Sequence, residues 1–279
     1  MKWIIVLVLA IVVFGGAAFF SYDLFVKPER TMRAEQSGEI PEEPKTDVSL
    51  ADFQAAAKLR QEGNLIEARS ALNNFLTRYP SGLHTEEAKD LLGDINTEIL
   101  LSRVPSPEKK EYVVRSGDVL ARVAQKMKTT PELIMRTNGL TGTMLHIGDR
   151  LYISHPELSL YIQRKASIVV VINHGTFFKR YRVRQMKVAP KQPPKITTHV
   201  AETMAWKNGK RVGFGTKEYA HSTRWIRLAQ PGYVLYPEPD PAHPNADVAP
   251  PPLGLGMAAP DVEELSGLVN AKTAVTITD

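Results

Sequence analysis

The stretch Tyr112–Ser154 constrains this chain most. It opens Tyr112-Val113-Val114-Arg115-Ser116-Gly117-Asp118-Val119-Leu120 and closes Ile147-Gly148-Asp149-Arg150-Leu151-Tyr152-Ile153. Between these ends, Leu120, Val123, Ala124 and Met127 fall at i, i+3, i+4 and i+7, which predicts a short helix with one apolar face. Asp118 stands at the N-cap position, after a glycine able to take the tight turn out of a strand. A second helix is predicted from Thr130 as cap, Pro131 at the first helical position and Glu132 facing the positive end of the helix dipole. Asn138-Gly139 ends it, because both residues tolerate a left-handed backbone. The closing strand alternates, with Leu151 and Ile153 on one face and Arg150 and Tyr152 on the other. The prediction is strand–helix–helix–strand.

The three spaced motifs of this stretch, Tyr-Val-Val-x-Ser-Gly-Asp-x-Leu, Asn-Gly-Leu and Ile-Gly-Asp-x-Leu-x-Ile, resemble the LysM module over residues 111–154. The resemblance implies binding to glycans that contain N-acetylglucosamine, in bacteria chiefly peptidoglycan. It also implies a shallow groove between the first strand–helix loop and the segment after the second helix. Here these are Gly117, Asp118, Val119 and Leu120 on one side, and Leu140, Thr141, Thr143 and Met144 on the other. An uncharged sugar offers hydroxyls, an amide and a methyl group, so backbone donors and a small apolar patch suffice. Where the family commonly has Thr or Ser after the Asp, this chain has Val119, which removes a hydroxyl. The plainer alternative is that Gly117, Asp118 and Asn138 only shape turns and caps; for Asp118 the capping role is a full account.

The 279 residues allow two or three small domains, and 43% hydrophobic and 23% charged residues are ordinary for folded material. Net charge is +5 and spread along the chain, which suits an anionic wall or lipid surface and gives no basic stripe for nucleic acid. There is no cysteine, so disulfides, thiolate metal sites and cysteine nucleophiles are excluded.

Residues 3–20 are an uncharged apolar run. As a helix at about 1.5 Å per residue they span roughly 27 Å, close to the ~30 Å core of a bilayer. The expectation is a retained membrane anchor at 1–27, with the rest of the chain outside the cytoplasm. The rival is a cleaved signal peptide, which usually has a shorter apolar region. Residues 28–48, rich in Pro, Glu, Lys, Ser and Thr, read as a flexible linker.

Residues 49–104 read as three helices. Ser49 caps the first, which ends near Gly63-Asn64. The second buries Ala68, Leu72, Phe75, Leu76 and Tyr79, and the third, starting after Thr85, buries Ala88, Leu91, Leu92, Ile95 and Ile99. Gly-x-x-x-Glu-Ala from Gly63, Phe-Leu-x-x-Tyr-Pro from Phe75 and Glu87-Ala88 are similar to a tetratricopeptide hairpin plus one helix. Two readings stand: residues 49–102 dock an envelope protein partner, or they form a spacer packed on its neighbours.

From Ser159 the pattern changes to strands. Leu160 with Ile162, 168–172 and 177–183 form a predicted meander, followed by strands at 196–205, 225–228, 233–236 and 274–278. Asp261–Val269 reads as a helix and Pro237–Pro252 as a proline-rich loop. The meander, Trp225-Ile226-x-Leu228, Asp261-Val262-Glu263-Glu264-Leu265 and Thr273-x-Val275-Thr276-Ile277 resemble the L,D-transpeptidase catalytic domain over 159–279. That family needs Ser-His-Gly-Cys-x-Arg just before the Asp-x-Glu-Glu-Leu helix, with Cys as nucleophile, His as base and Arg holding substrate. The slot here reads Pro251-Pro252-Leu253-Gly254-Leu255-Gly256, and Leu235-Tyr236-Pro237 stands where an upstream His is expected. No catalytic residue carries over. An alternative is a wall enzyme with a hydroxyl nucleophile near His243 and Asp240, although no serine elbow accompanies them. The other histidines, His84, His146, His155, His174, His199 and His221, show no ligand spacing with acidic residues, so no metal or cofactor is expected.

The sequence thus predicts a multidomain α+β chain: a transmembrane helix, a tetratricopeptide-like hairpin, a βααβ LysM module and a mostly β, degenerate transpeptidase-like domain. The expected role is a non-catalytic, membrane-anchored, peptidoglycan-binding protein of the cell envelope.

Overall fold

The computed structural model describes residues 47–239, 249–271 and 273–279. The expected anchor, nearly all of the linker after it, and Asp240 with His243 lie outside the described residues. Among the described residues no helix is long and apolar enough to cross a membrane.

The chain enters as α1 (Val48–Gln61), α2 (Leu65–Arg78) and α3 (Thr85–Leu100). Ser49 does not cap α1. The helix starts one residue earlier and Ser49 is buried in its first turn. Gly63 takes a positive φ of 80° and turns the chain into α2. Ala56, Ala68, Leu72, Phe75, Ala88, Leu92, Ile95 and Ile99 form one apolar cluster, which matches the helical spacing in the sequence.

Strand β1 (Lys109–Val113), helices α4 (Leu120–Lys126) and α5 (Pro131–Asn138), and strand β2 (Arg150–Ser154) follow in the expected order. β1 and β2 pair antiparallel, with Tyr112 opposite Leu151. Leu120, Val123, Ala124, Ile134, Leu151 and Ile153 fill the small core between helices and sheet.

The rest is a sheet of β3 (Leu158–Gln163), β4 (Ile168–Asn173), β5 (Thr176–Lys187), β6 (Lys195–Lys207), β7 (Lys210–Arg211), β8 (Thr223–Leu228), β9 (Val234–Pro237), β10 (Gly254–Met257) and β11 (Ala274–Thr278), with helix α6 (Ala259–Leu268) between the last two. The order is β11-β3-β4-β5-β10-β9-β8-β6-β7, and a further β11–β6 pairing closes it into a barrel with β7 outside. The long β6 makes closure possible: its first half pairs with β11 and its second half with β8. Leu160, Ile162, Val169, Val171, Ile226, Leu235, Leu255, Val275 and Ile277 point inward, and α6 adds Val262, Leu265 and Leu268 to the same core. Strand β10 was not legible in the sequence, because two of its four residues are glycines, which strands disfavour.

Residues Val48–Asp279 form one compact unit. Leu100 from α3 and Leu133 from α5 both belong to the barrel's core cluster. α3 lies along β5: a methyl group on Gly93 would sit 2.9 Å from Lys179 Cγ, so the helix approaches the strand closely because it has none there. Asn96 donates to the Phe178 carbonyl at 2.8 Å, and Lys179 bridges Asp94 and Glu264. The helical segment therefore packs on the barrel.

Candidate functional site

The two expected groove segments leave one core. Leu120 is buried in it, while Leu140 and Leu145 pack against it from the other loop. Around these anchors the loops face solvent: Gly117, Thr141, Gly142 and Thr143 are exposed, Val119 is 49% exposed and Met144 77%. Val119 and Met144 thus offer apolar contact at the surface of the two loops. Gly117 has a φ of 82° with nothing within 4 Å of where a Cβ would stand, so its turn is a backbone requirement at an open surface.

Asp118 corrects one expectation. α4 starts at Leu120, its N-cap position is Val119, and no side chain caps it. Instead the Asp118 carboxylate accepts from the Arg115 backbone N–H at 2.8 Å and from the Tyr112 hydroxyl at 2.7 Å. It ties the turn to β1 rather than to the helix. These two hydrogen bonds, Arg115 first, hold its pKa below the ordinary carboxylate value. At the other helix the expected cap is present: Thr130 Oγ1 accepts from the Leu133 N–H at 3.1 Å, and Gly139 turns left-handed at φ 64°. Asn138 does more than end α5. Its amide accepts from the Tyr152 N–H and donates to the Tyr152 carbonyl, both at 2.8 Å, so it binds β2 as a neighbouring strand would.

The groove's second wall does not stand alone. A methyl group on Gly215 would lie 3.4 Å from Thr143 Cγ2, which places the barrel's 213–215 turn against that wall. One turn away, Tyr219 donates its hydroxyl to Glu132 of α5. Glu132 also faces Arg224 at 3.8 Å and Arg136 at 3.4 Å; Arg224 is only 6% exposed. Burial and the Glu132 carboxylate push the Tyr219 hydroxyl up to about 12, so it stays a donor. Arg136 reaches Glu263 of α6, and Gly267 leaves it room. None of this is visible in the sequence, because partners such as Glu132 and Arg224 lie far apart along the chain.

The segment Pro251–Gly256 is built quite differently. Strand alternation puts Leu255 and Leu235 inside the barrel, and Gly256, Tyr236 and Trp225 on the outer face. There Met204, Trp225 and Tyr236 form a separate apolar cluster with Trp206 and Val234 against it. Tyr236 is 1% exposed and donates to Gln185 Oε1 at 3.0 Å. A Cβ at Gly254 would lie 2.5 Å from the Val234 carbonyl oxygen and 3.1 Å from the Tyr236 ring; at Gly256 it would lie 3.3 Å from the Tyr236 hydroxyl. Gly254 also has a φ of 154°, which L side chains rarely adopt. The position where the resemblance implies a nucleophile is therefore short of space for any side chain, and Tyr236 takes up the volume.

A cavity of about 460 Å³, which sequence reasoning did not locate, opens between α3, the residues around Ser106 and the β4–β5 turn, with Arg69, Asn96, Lys109, Ser154, His174 and Phe177 in its wall. Its charges are largely matched: Arg69 pairs with Glu108 at 2.9 Å, and the Lys109 amine donates to the Ile99, Ser102 and Val104 carbonyls at the end of α3. Burial lowers the Lys109 pKa to about 8, with Glu108 pulling the other way. Among the described residues no three His, Asp or Glu side chains gather as a metal site would require.

No curated protein matches this chain. Solved structures similar to part of it include an L,D-transpeptidase from Mycobacterium smegmatis, 12% identical over 48% of this chain and 65% of that one, TM-score 0.30. L,D-transpeptidase 3 from Mycobacterium tuberculosis, in complex with a faropenem-derived adduct, is 11% identical over 49% and 76%, TM-score 0.30. The L,D-transpeptidase from Stackebrandtia nassauensis is 11% identical over 44% and 56%, TM-score 0.31. This chain thus spans just under two thirds of the first of these proteins. Residues 112–154 match the family model of the LysM domain, and that segment is a LysM domain.

Proposed function

We propose that this protein is a membrane-anchored, extracytoplasmic protein that binds peptidoglycan through the Gly117–Leu120 and Leu140–Met144 loops. Its transpeptidase-like barrel performs no chemistry and serves as a rigid support for those loops. The LysM match and the open, apolar loops support the binding half of this reading. The observation that carries the other half is Gly254: the nucleophile's slot has no volume for a side chain, since a Cβ there would sit 2.5 Å from a backbone oxygen. Packing that tight resists a shift of even a few tenths of an ångström.

Sedimentation of the full chain with purified peptidoglycan tests the binding. The wild-type chain is expected to pellet, and Val119→Asp combined with Met144→Glu to remain in solution with an unchanged Tm. Point changes are preferable to deleting the module, because Leu133 belongs to the shared core. Incubation with tetrapeptide-bearing muropeptides, followed by mass spectrometry, tests the chemistry. No cross-linked or hydrolysed product is expected. Turnover that disappears in His243→Ala would revive the enzyme reading. N-terminal sequencing of the mature protein tests the anchor: a new terminus after Gly15 to Ala18 would remove it.

A further inference from the structure

We infer that the glycan groove continues off the LysM domain onto the barrel, and that Phe214 is an additional sugar-stacking residue for a linear glycan of N-acetylated amino sugars. This rests on the reading of residues 112–154 as the glycan-binding element.

Four observations lead there. The turn that carries Phe214 touches the groove wall, since a Cβ on the next residue, Gly215, would lie 3.4 Å from Thr143 Cγ2. The ring itself is 40% exposed, and only Tyr161 is a second aromatic among the exposed large apolar side chains of the described residues. The ring is not loose: it stands edge-on to Tyr219, with centroids 5.2 Å apart at 82°, and Tyr219 is hydrogen-bonded to Glu132 of the LysM domain. The turn is fixed as well, because the Thr216 hydroxyl and N–H both donate to the Gly213 carbonyl, at 2.9 and 3.3 Å.

The chemistry of the ligand explains why a ring belongs there. The groove loops present backbone groups, methyls and the thioether of Met144 but no aromatic face. The flat, C–H-bearing face of a pyranose is matched by an aromatic ring, which covers a large apolar area at the cost of two torsions. A ring already held in place loses little entropy on binding. A short ligand fits the LysM loops alone, and a longer one reaches Phe214.

Calorimetric titration of the full chain with a chitin trisaccharide and a chitin hexasaccharide tests the inference. Phe214→Ala is expected to weaken the hexasaccharide about five- to tenfold, the worth of one aromatic contact, and to leave the trisaccharide unchanged. Phe214→Leu keeps apolar contact with Tyr219 and the wild-type Tm, yet loses the same discrimination. Phe214→Trp retains it, and Tyr161→Ala changes neither affinity. Equal hexasaccharide binding by wild type, Phe214→Ala and Phe214→Leu overturns the extension while the groove stands. An equal loss for both lengths in Phe214→Leu also overturns it, since the ring would then act on the LysM loops themselves. A wild-type chain that binds neither length overturns the groove and its extension together.

Discussion

At Gly117 a side chain would meet nothing within 4 Å, whereas at Gly254 it would meet the Val234 carbonyl oxygen at 2.5 Å. Gly117 stands in a LysM motif, and Gly254 stands where the sequence resemblance implies a nucleophile that this chain does not have. At Gly117 the residue serves the backbone, and the surface around it remains open to a ligand. At Gly254 it serves packing, because Tyr236 and the β9 backbone occupy the space. The same residue type thus serves two ends, and the free volume around it separates them.

The largest expected effect comes from Gly254→Cys, which places a thiol where the sequence resemblance implies a nucleophile. Overpacking and backbone strain together are expected to cost about 3 kcal/mol or more, read as a shift of the denaturation midpoint, with no acylation by a β-lactam probe. A variant as stable as wild type that acylates would break the comparison at its closed end.

Next is Glu132→Ala, which leaves the Arg224 guanidinium buried without its carboxylate. Loss of one partner of a buried ion pair typically costs about 3 kcal/mol. Glu132→Gln, which can still accept from Tyr219, is expected to cost less. Chemical denaturation of both sharpens the comparison, because it measures how firmly the open region is mounted on the closed one.

Gly117→Val is expected to cost only about 1 kcal/mol through its positive φ, yet to weaken peptidoglycan binding about tenfold. The opposite pattern, a large loss of stability with intact binding, would mean that Gly117 is as structural as Gly254.

The smallest effect involves Lys109, which joins α3 to β1. Its folded pKa of about 8 lies below the ordinary 10.5. Between those values the unfolded chain holds the proton that the folded chain has released, so this group's contribution to stability rises with pH. Wild type should gain stability relative to Lys109→Met between pH 7 and pH 9.5, measured by urea denaturation at both.

Much was legible along the chain because it depends on neighbours a few residues apart. Helical spacing located α1 to α6 within a few residues, and alternation located most strands. Thr130, Pro131 and Gly139 delimited α5 by local backbone chemistry. Asp118 misled because its competing partners, Tyr112 and the Arg115 N–H, lie upstream of the helix, where capping logic does not look. Asn138 offered no signal for its bond to Tyr152, since a turn residue and a strand clamp have the same letter.

By itself the sequence determined the LysM domain and the absence of thiol chemistry, both properties of composition and short spacing. Tertiary structure alone decided that Leu100 and Leu133 join the barrel's core, that the turn at Phe214 stands against Thr143, and that no room remains at Gly254. The reason is that volume is filled by groups far apart in the chain. Close packing is a property of their arrangement, which no single segment encodes.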